Sequence, residues 1–185
     1  MIEVRFHGRG GQGVVIASEV LARAAFKMGF EVASFPFFGV ERRGAPVTAY
    51  ARIDSKPIRI KSSIYSPDYI VVLDSPLLKV IDVLDGLKPG GSVLVNYPDG
   101  RRLEGVAPGF KYFVLDATSI AASHGIGSQT APIVNTAIMG GFARICQTVG
   151  LDPILESIRE LAPAKEEENV AAAREAYERT VEVAQ

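Results

Sequence analysis

The segment VRFHGRGGQGVV, residues 4–15, constrains this chain more than any other. Gly8, Gly10 and Gly13 fit G-x-G-x-x-G, with a strand-like apolar run before them and a helical stripe after them. Glycine lets a backbone approach closely, and N–H groups at a helix start favour negative charge. Such a loop suits an anion. The same glycines also serve as a tight strand-to-helix turn with no ligand, so the pattern alone leaves both uses open.

The surrounding pattern predicts alternating strands and helices. Ile2 to Phe6 reads as a strand. Ile16, Val20, Leu21, Ala24 and Met28 recur at helical spacing, and Gly29 is placed to end that helix. Phe30 to Phe35 reads as a second strand, completing a βαβ unit with an expected right-handed crossover. FPFFGVERRGAP, residues 35–46, reads as a loop. VTAYARI (47–53) and PIRI (57–60) flank DSK and predict a β-hairpin. YIVVL (69–73) reads as a central strand ending at Asp74, followed by a helix with Ser75 and Pro76 at its start and Leu77, Val80, Ile81 and Leu84 inward. SVLVN (92–96) and YFVLD (112–116) are further strands.

Residues 132–149 are helical in pattern but apolar nearly all round, which predicts burial on several sides. Gly140 and Gly141 weaken such a helix by roughly 1 kcal/mol each relative to Ala. Close backbone packing is the expected compensation, either inside the chain or against another subunit. Asp152 and Pro153 begin a helix with Ile154, Leu155, Ile158 and Leu161 inward. A last amphipathic helix reads through KEEENVAAAREAYERTVEVA, residues 165–184, and its solvated acidic run Glu166 to Glu168 suits the positive end of its dipole. Together these predict one α/β domain over residues 1–185. It is a Rossmann-like three-layer αβα fold with a mainly parallel sheet, helices on both faces and an inserted β-hairpin.

Charge and cysteine usage exclude several classes. Twenty basic and 21 acidic residues give a net charge of −1, which predicts no general nucleic-acid or membrane partner. No apolar run reaches the roughly 18 residues of a membrane span, and MIEVRFHG has no signal-peptide pattern, so the expected location is the cytoplasm. Cys146 is the sole cysteine, whereas an iron–sulfur cubane usually takes four thiolates. It reads as a buried small hydrophobe. His7 and His124 lack metal-ligand spacing, so no metal site is expected. His7 favours a structural role over proton transfer, and His124 falls at a helix end, where a cation suits the dipole.

A dinucleotide site makes a second demand, an acidic residue at the carboxyl end of the second strand to hold the ribose. That end reads Ser34, Phe35, Pro36, Phe37. Glu31 lies at the wrong end and Glu41 lies well past it. The ribose-binding half of the fingerprint is therefore missing, which argues against NAD. Arg9 and Gln12 are additions to the loop. In a parallel sheet, loops leaving the carboxyl ends share one edge, so the glycine loop, the ERRG loop and Asp74 are expected together. The candidate ligand-binding residues are Gly8, Arg9, Gly10, Gly11, Gln12, Gly13, Arg42 and Arg43. Arginine forks suit phosphates and carboxylates. Ion pairing with Glu41 or Asp74, or contact with a partner chain, is the equal alternative for the arginines. Phe35, Phe37 and Phe38 cannot all face inward by periodicity, and an exposed apolar patch there would mark a partner contact. No residue is singled out as catalytic.

Two blocks, RFHGRGGQGVVIASEVLARAA and FPFFGVERRGAPVTAYARI, resemble the gamma subunits of 2-oxoacid:ferredoxin oxidoreductases, most closely the pyruvate type. PDYIVVLDS, PIVNTAIMGGFAR and ENVAAAREAYE follow the same pattern, so the resemblance spans most of the chain. It implies a complex that converts a 2-oxoacid and CoA to acyl-CoA and CO2 and passes electrons singly to ferredoxin. It further implies thiamine diphosphate, Mg2+ and [4Fe–4S] clusters in the complex, alpha, beta and delta partner chains, and a contribution of this chain to CoA access or binding. The residues present here place the redox groups elsewhere: there is one Cys, and no Gly-Asp-Gly with a downstream Asn pair for the diphosphate and Mg2+. The chain alone is expected to be inactive. A stand-alone nucleotide- or CoA-binding domain and a ligand-free assembly subunit are the competing readings.

Overall fold

The computed structural model describes residues 1–37, 44–98, 103 and 106–183. Its centre is a seven-stranded sheet in the order β2-β3-β1-β4-β5-β6-β9. The strands are β1 (Ile2–Arg9), β2 (Glu31–Phe37), β3 (Pro46–Asp54), β4 (Tyr69–Val72), β5 (Ser92–Asn96), β6 (Lys111–Leu115) and β9 (Val181–Val183). A two-stranded ladder joins β7 (Gly127–Ser128) to β8 (Ala131–Pro132). The helices are α1 (Val14–Lys27), α2 (Ala117–Ser123), α3 (Asn135–Ile145), α4 (Leu151–Leu161) and α5 (Glu166–Arg179).

β1, β4, β5 and β6 are successive parallel neighbours. β3 is antiparallel to both β1 and β2, so β1 and β2 run the same way with β3 wedged between them. Five of the seven strands thus share one direction, as the alternating pattern predicts. The inserted hairpin is present, but with different strands. Residues 47–53 pair with β2 and β1, not with 57–60, which form no strand.

The sheet faces differ in how they are covered. All five α-helices pack on one face, not on both as the sequence pattern predicts, over Val4, Phe6, Ala51, Ile53, Val71, Leu94 and Leu115. The other face buries Ile70, Val72, Val93, Val95 and Tyr112 beneath Leu77, Val83, Leu87 and Leu103. Here the helix expected over 77–84 is only a 3-10 turn, Ser75–Lys79, followed by further turns. Leu77 O accepts from both Val80 N at 3.1 Å and Ile81 N at 3.0 Å, and the turns that follow are tied down where the Val83 and Asp85 oxygens accept from the Arg5 guanidinium, at 3.0 and 2.5 Å.

α3 is buried from Asn135 to Ala143. A Cβ on Gly140 would lie 1.8 Å from the Ala173 carbonyl oxygen of α5, and one on Gly141 would meet Leu115 and Thr180. Close packing inside the chain is therefore what the glycine pair serves. The chain end turns into β9, antiparallel to β6, where the sequence pattern reads on as helix.

Candidate functional site at the carboxyl edge of the sheet

The glycine loop is shaped by what surrounds it. A Cβ on Gly8 would lie 2.5 Å from Cγ2 of Val14 and 3.3 Å from Cβ of Leu73. Gly13 caps α1 with φ +76°, and its Cβ would lie 2.3 Å from Nδ2 of Asn135. Both positions exclude side chains because α1 and α3 sit directly on the loop. Gly10 donates to Ala45 O at 2.9 Å and accepts from Gly44 N at 3.2 Å. These bonds join the glycine loop to the returning end of the 35–46 loop, so the two sequence blocks do meet. Arg42 and Arg43 themselves lie outside the described residues.

Arg9 is paired. Its Nε lies 2.5 Å from Oδ2 of Asp74 and its Nη1 donates to Gly44 O at 3.0 Å. Gln12 accepts from Arg9 N at 2.7 Å and donates to Oδ1 of Asp74 at 3.3 Å. Asp74 therefore binds both additions to the loop, and the ion-pair alternative holds for Arg9.

Beside this cluster lies a cleft of about 650 Å³, lined by Gly10, Gly11, Gln12, Asp74, Asn96, Asp116, Thr118 and Ser119 among others. It sits where the β1 and β4 chains part, the usual ligand position of open α/β sheets. Asn96, at the end of β5, donates to Leu73 O and to Oγ1 of Thr118, each at 2.9 Å. Asp116 caps α2, accepting from Ser119 N at 2.9 Å. Sequence reasoning missed Asn96 and Thr118. The polar Asn closing the apolar run SVLVN was the available signal.

The place where a second strand would offer a ribose-binding acid is filled by β3, whose Pro46 pairs with Arg9. That gives a physical reason for the missing acid at the end of β2.

His7 lies outside the cleft lining. It is 6% exposed, and its Nε2 accepts from Arg5 Nε at 3.1 Å. Burial, with the Arg5 charge, lowers its pKa to about 3. It is neutral at ordinary pH. His124 ends α2 with Nε2 2.8 Å from a Glu175 carboxylate oxygen, whose pKa is held below its ordinary value by that contact and by Arg179. Cys146 is buried in the helix-side core, and burial pushes its thiol pKa up. Among the described residues, no three His, Cys, Asp or Glu side chains converge on a metal position, and no helix is long and apolar enough to cross a membrane. Phe35 packs on Tyr50, with ring centroids 5.4 Å apart, whereas Phe37 is exposed. Phe38 lies outside the described residues.

A glycine loop at the carboxyl edge of a mixed, mainly parallel sheet defines a Rossmann-like α/β domain without its ribose-binding half. Comparison with known proteins narrows this. The pyruvate ferredoxin/flavodoxin oxidoreductase family model matches residues 3–179. The chain is 53% identical to the pyruvate/ketoisovalerate oxidoreductases common subunit gamma of Thermococcus kodakarensis, over 98% of each chain. It is 49% identical to pyruvate synthase subunit PorC of Methanothermobacter marburgensis, over 97% of each. The crystal structure of pyruvate oxidoreductase subunit PORC from Thermotoga maritima superposes with a TM-score of 0.81 at 34% identity, covering 98% of this chain and 97% of that one. The chain belongs to the pyruvate ferredoxin/flavodoxin oxidoreductase family, among its gamma subunits.

Proposed function

We propose that this chain is the gamma subunit of a cytoplasmic complex that oxidatively decarboxylates pyruvate, or a related 2-oxoacid, to acyl-CoA and CO2 with ferredoxin as electron acceptor. The observation that carries the reading is the 53% identity to a named gamma subunit over 98% of both chains. The whole chain, 1–185, acts as one gamma-type domain beside alpha, beta and delta chains.

The residues present do not fit the redox groups. Cys146 is sealed in the core, and a cubane usually takes four thiolates. Thiamine diphosphate with Mg2+ and the [4Fe–4S] clusters are therefore assigned to partner chains, which supply the hard chemistry. We assign no catalytic residue here.

This subunit contributes a wall. Gly8, Arg9, Gly10, Gly11, Gln12 and Gly13 form one side of it, and Arg42 and Arg43 follow on the loop that Gly44 and Ala45 tie to Gly10. Asp74 neutralises Arg9, and Arg42 and Arg43 are the residues assigned to meet a CoA phosphate or a partner's carboxylate. Gln12 and the loop amides hold the wall's shape.

The test is steady-state kinetics of the purified complex. Arg42→Ala with Arg43→Ala raises the KM for CoA about tenfold or more, the loss of one or two charge-assisted contacts, and leaves the KM for the 2-oxoacid unchanged. A chain that co-purifies with no thiamine-dependent partner from its native extract defeats the subunit reading. Unchanged CoA kinetics in an intact complex defeats only the CoA contact.

A further inference from the structure

Between β3 and β4 the chain runs from Ser55 to Asp68 without helix or strand. Irregular stretches beyond about 12 residues are uncommon in compact domains and are usually functional or disordered. This one is pinned. Arg52, with its side chain 3% exposed, donates to Ser62 O at 2.7 Å and to Ile60 O and Ser63 O at 3.3 Å. Arg5 donates to Ile64 O at 3.4 Å. A Cβ on Gly86 would lie 1.8 Å from Tyr65 O, so the following turn presses directly on the strap. Two buried guanidinium groups thus take the inward carbonyls of an extended segment.

What the strap presents outward is uniform in sign. Lys56, Arg59 and Lys61 are exposed, and none has an ion-pair partner among the described residues. The carboxylates that flank the strap in sequence have other partners: Asp54 the terminal ammonium, Asp68 the Lys88 ammonium. Ile60 is 50% exposed and Tyr65 74%. Three uncompensated cations interleaved with an aliphatic and an aromatic side chain stand on a chain whose net charge is −1. Arginine and tyrosine are the residue types that anchor protein interfaces.

We propose that the strap, residues 56–65, is a docking surface for a carboxylate-rich face of another protein chain in the same complex. The inference rests on the chain being a subunit and adds where a partner sits. The charge is too sparse for a polyanion track, which takes many phosphate contacts, and three cations on one short segment attract a membrane surface only weakly. Against one acidic protein face, three cations supply steering and register, and Ile60 and Tyr65 supply desolvated area.

The experiment measures association of the full-length chain with the remaining purified subunits at low and high salt. The charge-reversed Arg59→Glu/Lys61→Glu chain binds at least about tenfold more weakly, the scale of two lost complementary charges. The wild-type association weakens with salt and the reversed one does not. Arg59→Lys/Lys61→Arg restores binding, and Tyr65→Ala weakens it independently. Thermal midpoints match throughout, because none of these side chains is buried. Wild-type affinity in the reversed variant, or salt-indifferent wild-type assembly, overturns the proposal. So does binding of a DNA oligonucleotide or of anionic vesicles through these residues with subunit assembly unaltered. A wild-type chain that finds no partner overturns both this inference and the subunit reading. A complex that forms and ignores the reversal overturns this one alone.

Discussion

Arg5 Nε donates to Nε2 of His7 at 3.1 Å, two residues along the same face of β1. The pairing fixes the imidazole tautomer: Nε2 accepts, so Nδ1 carries the proton. That Nδ1 is buried and has no hydrogen-bond partner among the described residues. Among the described residues, no carboxylate forms an ion pair with the Arg5 guanidinium. It is held by His7 and by carbonyls from three places in the covering segment. A protonated His7 would set two cations side by side in the interior.

This predicts an acid-sensitive stability term. The folded pKa of His7 is about 3 against an ordinary 6.5, so the unfolded chain binds the extra proton between those values. The contribution is fully present above pH 6.5 and is lost as pH falls toward 3, with a slope approaching about 1.4 kcal/mol per pH unit. Urea midpoints across that window should fall with acid for the wild type and more shallowly for His7→Gln. Equal slopes in the two proteins would reject the assignment to His7.

The α3–α5 contact gives a second prediction. Ala at position 140 would drive a methyl into the Ala173 carbonyl, a backbone group with no rotamer to yield. Gly140→Ala should therefore destabilise by about 2–3 kcal/mol through overpacking. Gly150 makes the control: nothing lies within 4 Å of its added Cβ, and its φ is −73°. Gly150→Ala should change stability by about 1 kcal/mol or less. Equilibrium denaturation of the two variants reads the difference directly.

Gly13 faces two independent penalties. Its φ of +76° disfavours any L side chain, and its Cβ would strike the Asn135 amide. Asn135→Ala should relieve only the second. The left-handed conformation alone costs about 1 kcal/mol, so Gly13→Ala/Asn135→Ala should recover part of the loss of Gly13→Ala and stop about that far short of Asn135→Ala. Full rescue would show that the collision was the whole cost.

The parts of this fold that were legible in the sequence are those set by local chemistry. YIVVL and SVLVN read as buried strands because both faces of β4 and β5 are covered, and the glycine loop and α1 read correctly because their periodicities are strong. The illegible parts are set at a distance. PIRI alternates like a strand, yet its neighbours' carbonyls are taken by Arg52 and Arg5 instead of by a ladder. Leu77 to Leu84 has a helical stripe, yet it runs as a 3-10 turn and further turns whose far end, at Val83 and Asp85, is tied to Arg5 on β1. β9 reads as helix because only its pairing with β6 makes it a strand. At the site, Gly8, Gly10 and Gly13 announce the loop, and the shared carboxyl edge makes Asp74 one of the expected partners for its arginine, but only the structure selects that ion pair for Arg9. Asn96 and Thr118 are ordinary residues until β5 and α2 bring them together.

Arg52 carries the last prediction. It is buried within β3, bonded at 2.9 Å to Glu3 and to three strap carbonyls. Arg52→Met keeps the aliphatic volume but leaves the Glu3 carboxylate, 15% exposed, with only Lys88 at 3.8 Å. Stranding a fully buried charge costs about 3–5 kcal/mol, and with Glu3 partly exposed and Lys88 still near, the loss here should be smaller, about 1–3 kcal/mol. Arg52→Met/Glu3→Gln should recover a large part of that loss, since the stranded charge goes with it. The strap carbonyls stay without donors in both variants, so hydrogen exchange at residues 60–66 should accelerate in both. Stability regained with fast exchange would separate the ion pair from the strap anchor. Slow exchange at 60–66 in Arg52→Met would mean the strap is held by Ile64 and Gly86 without the guanidinium.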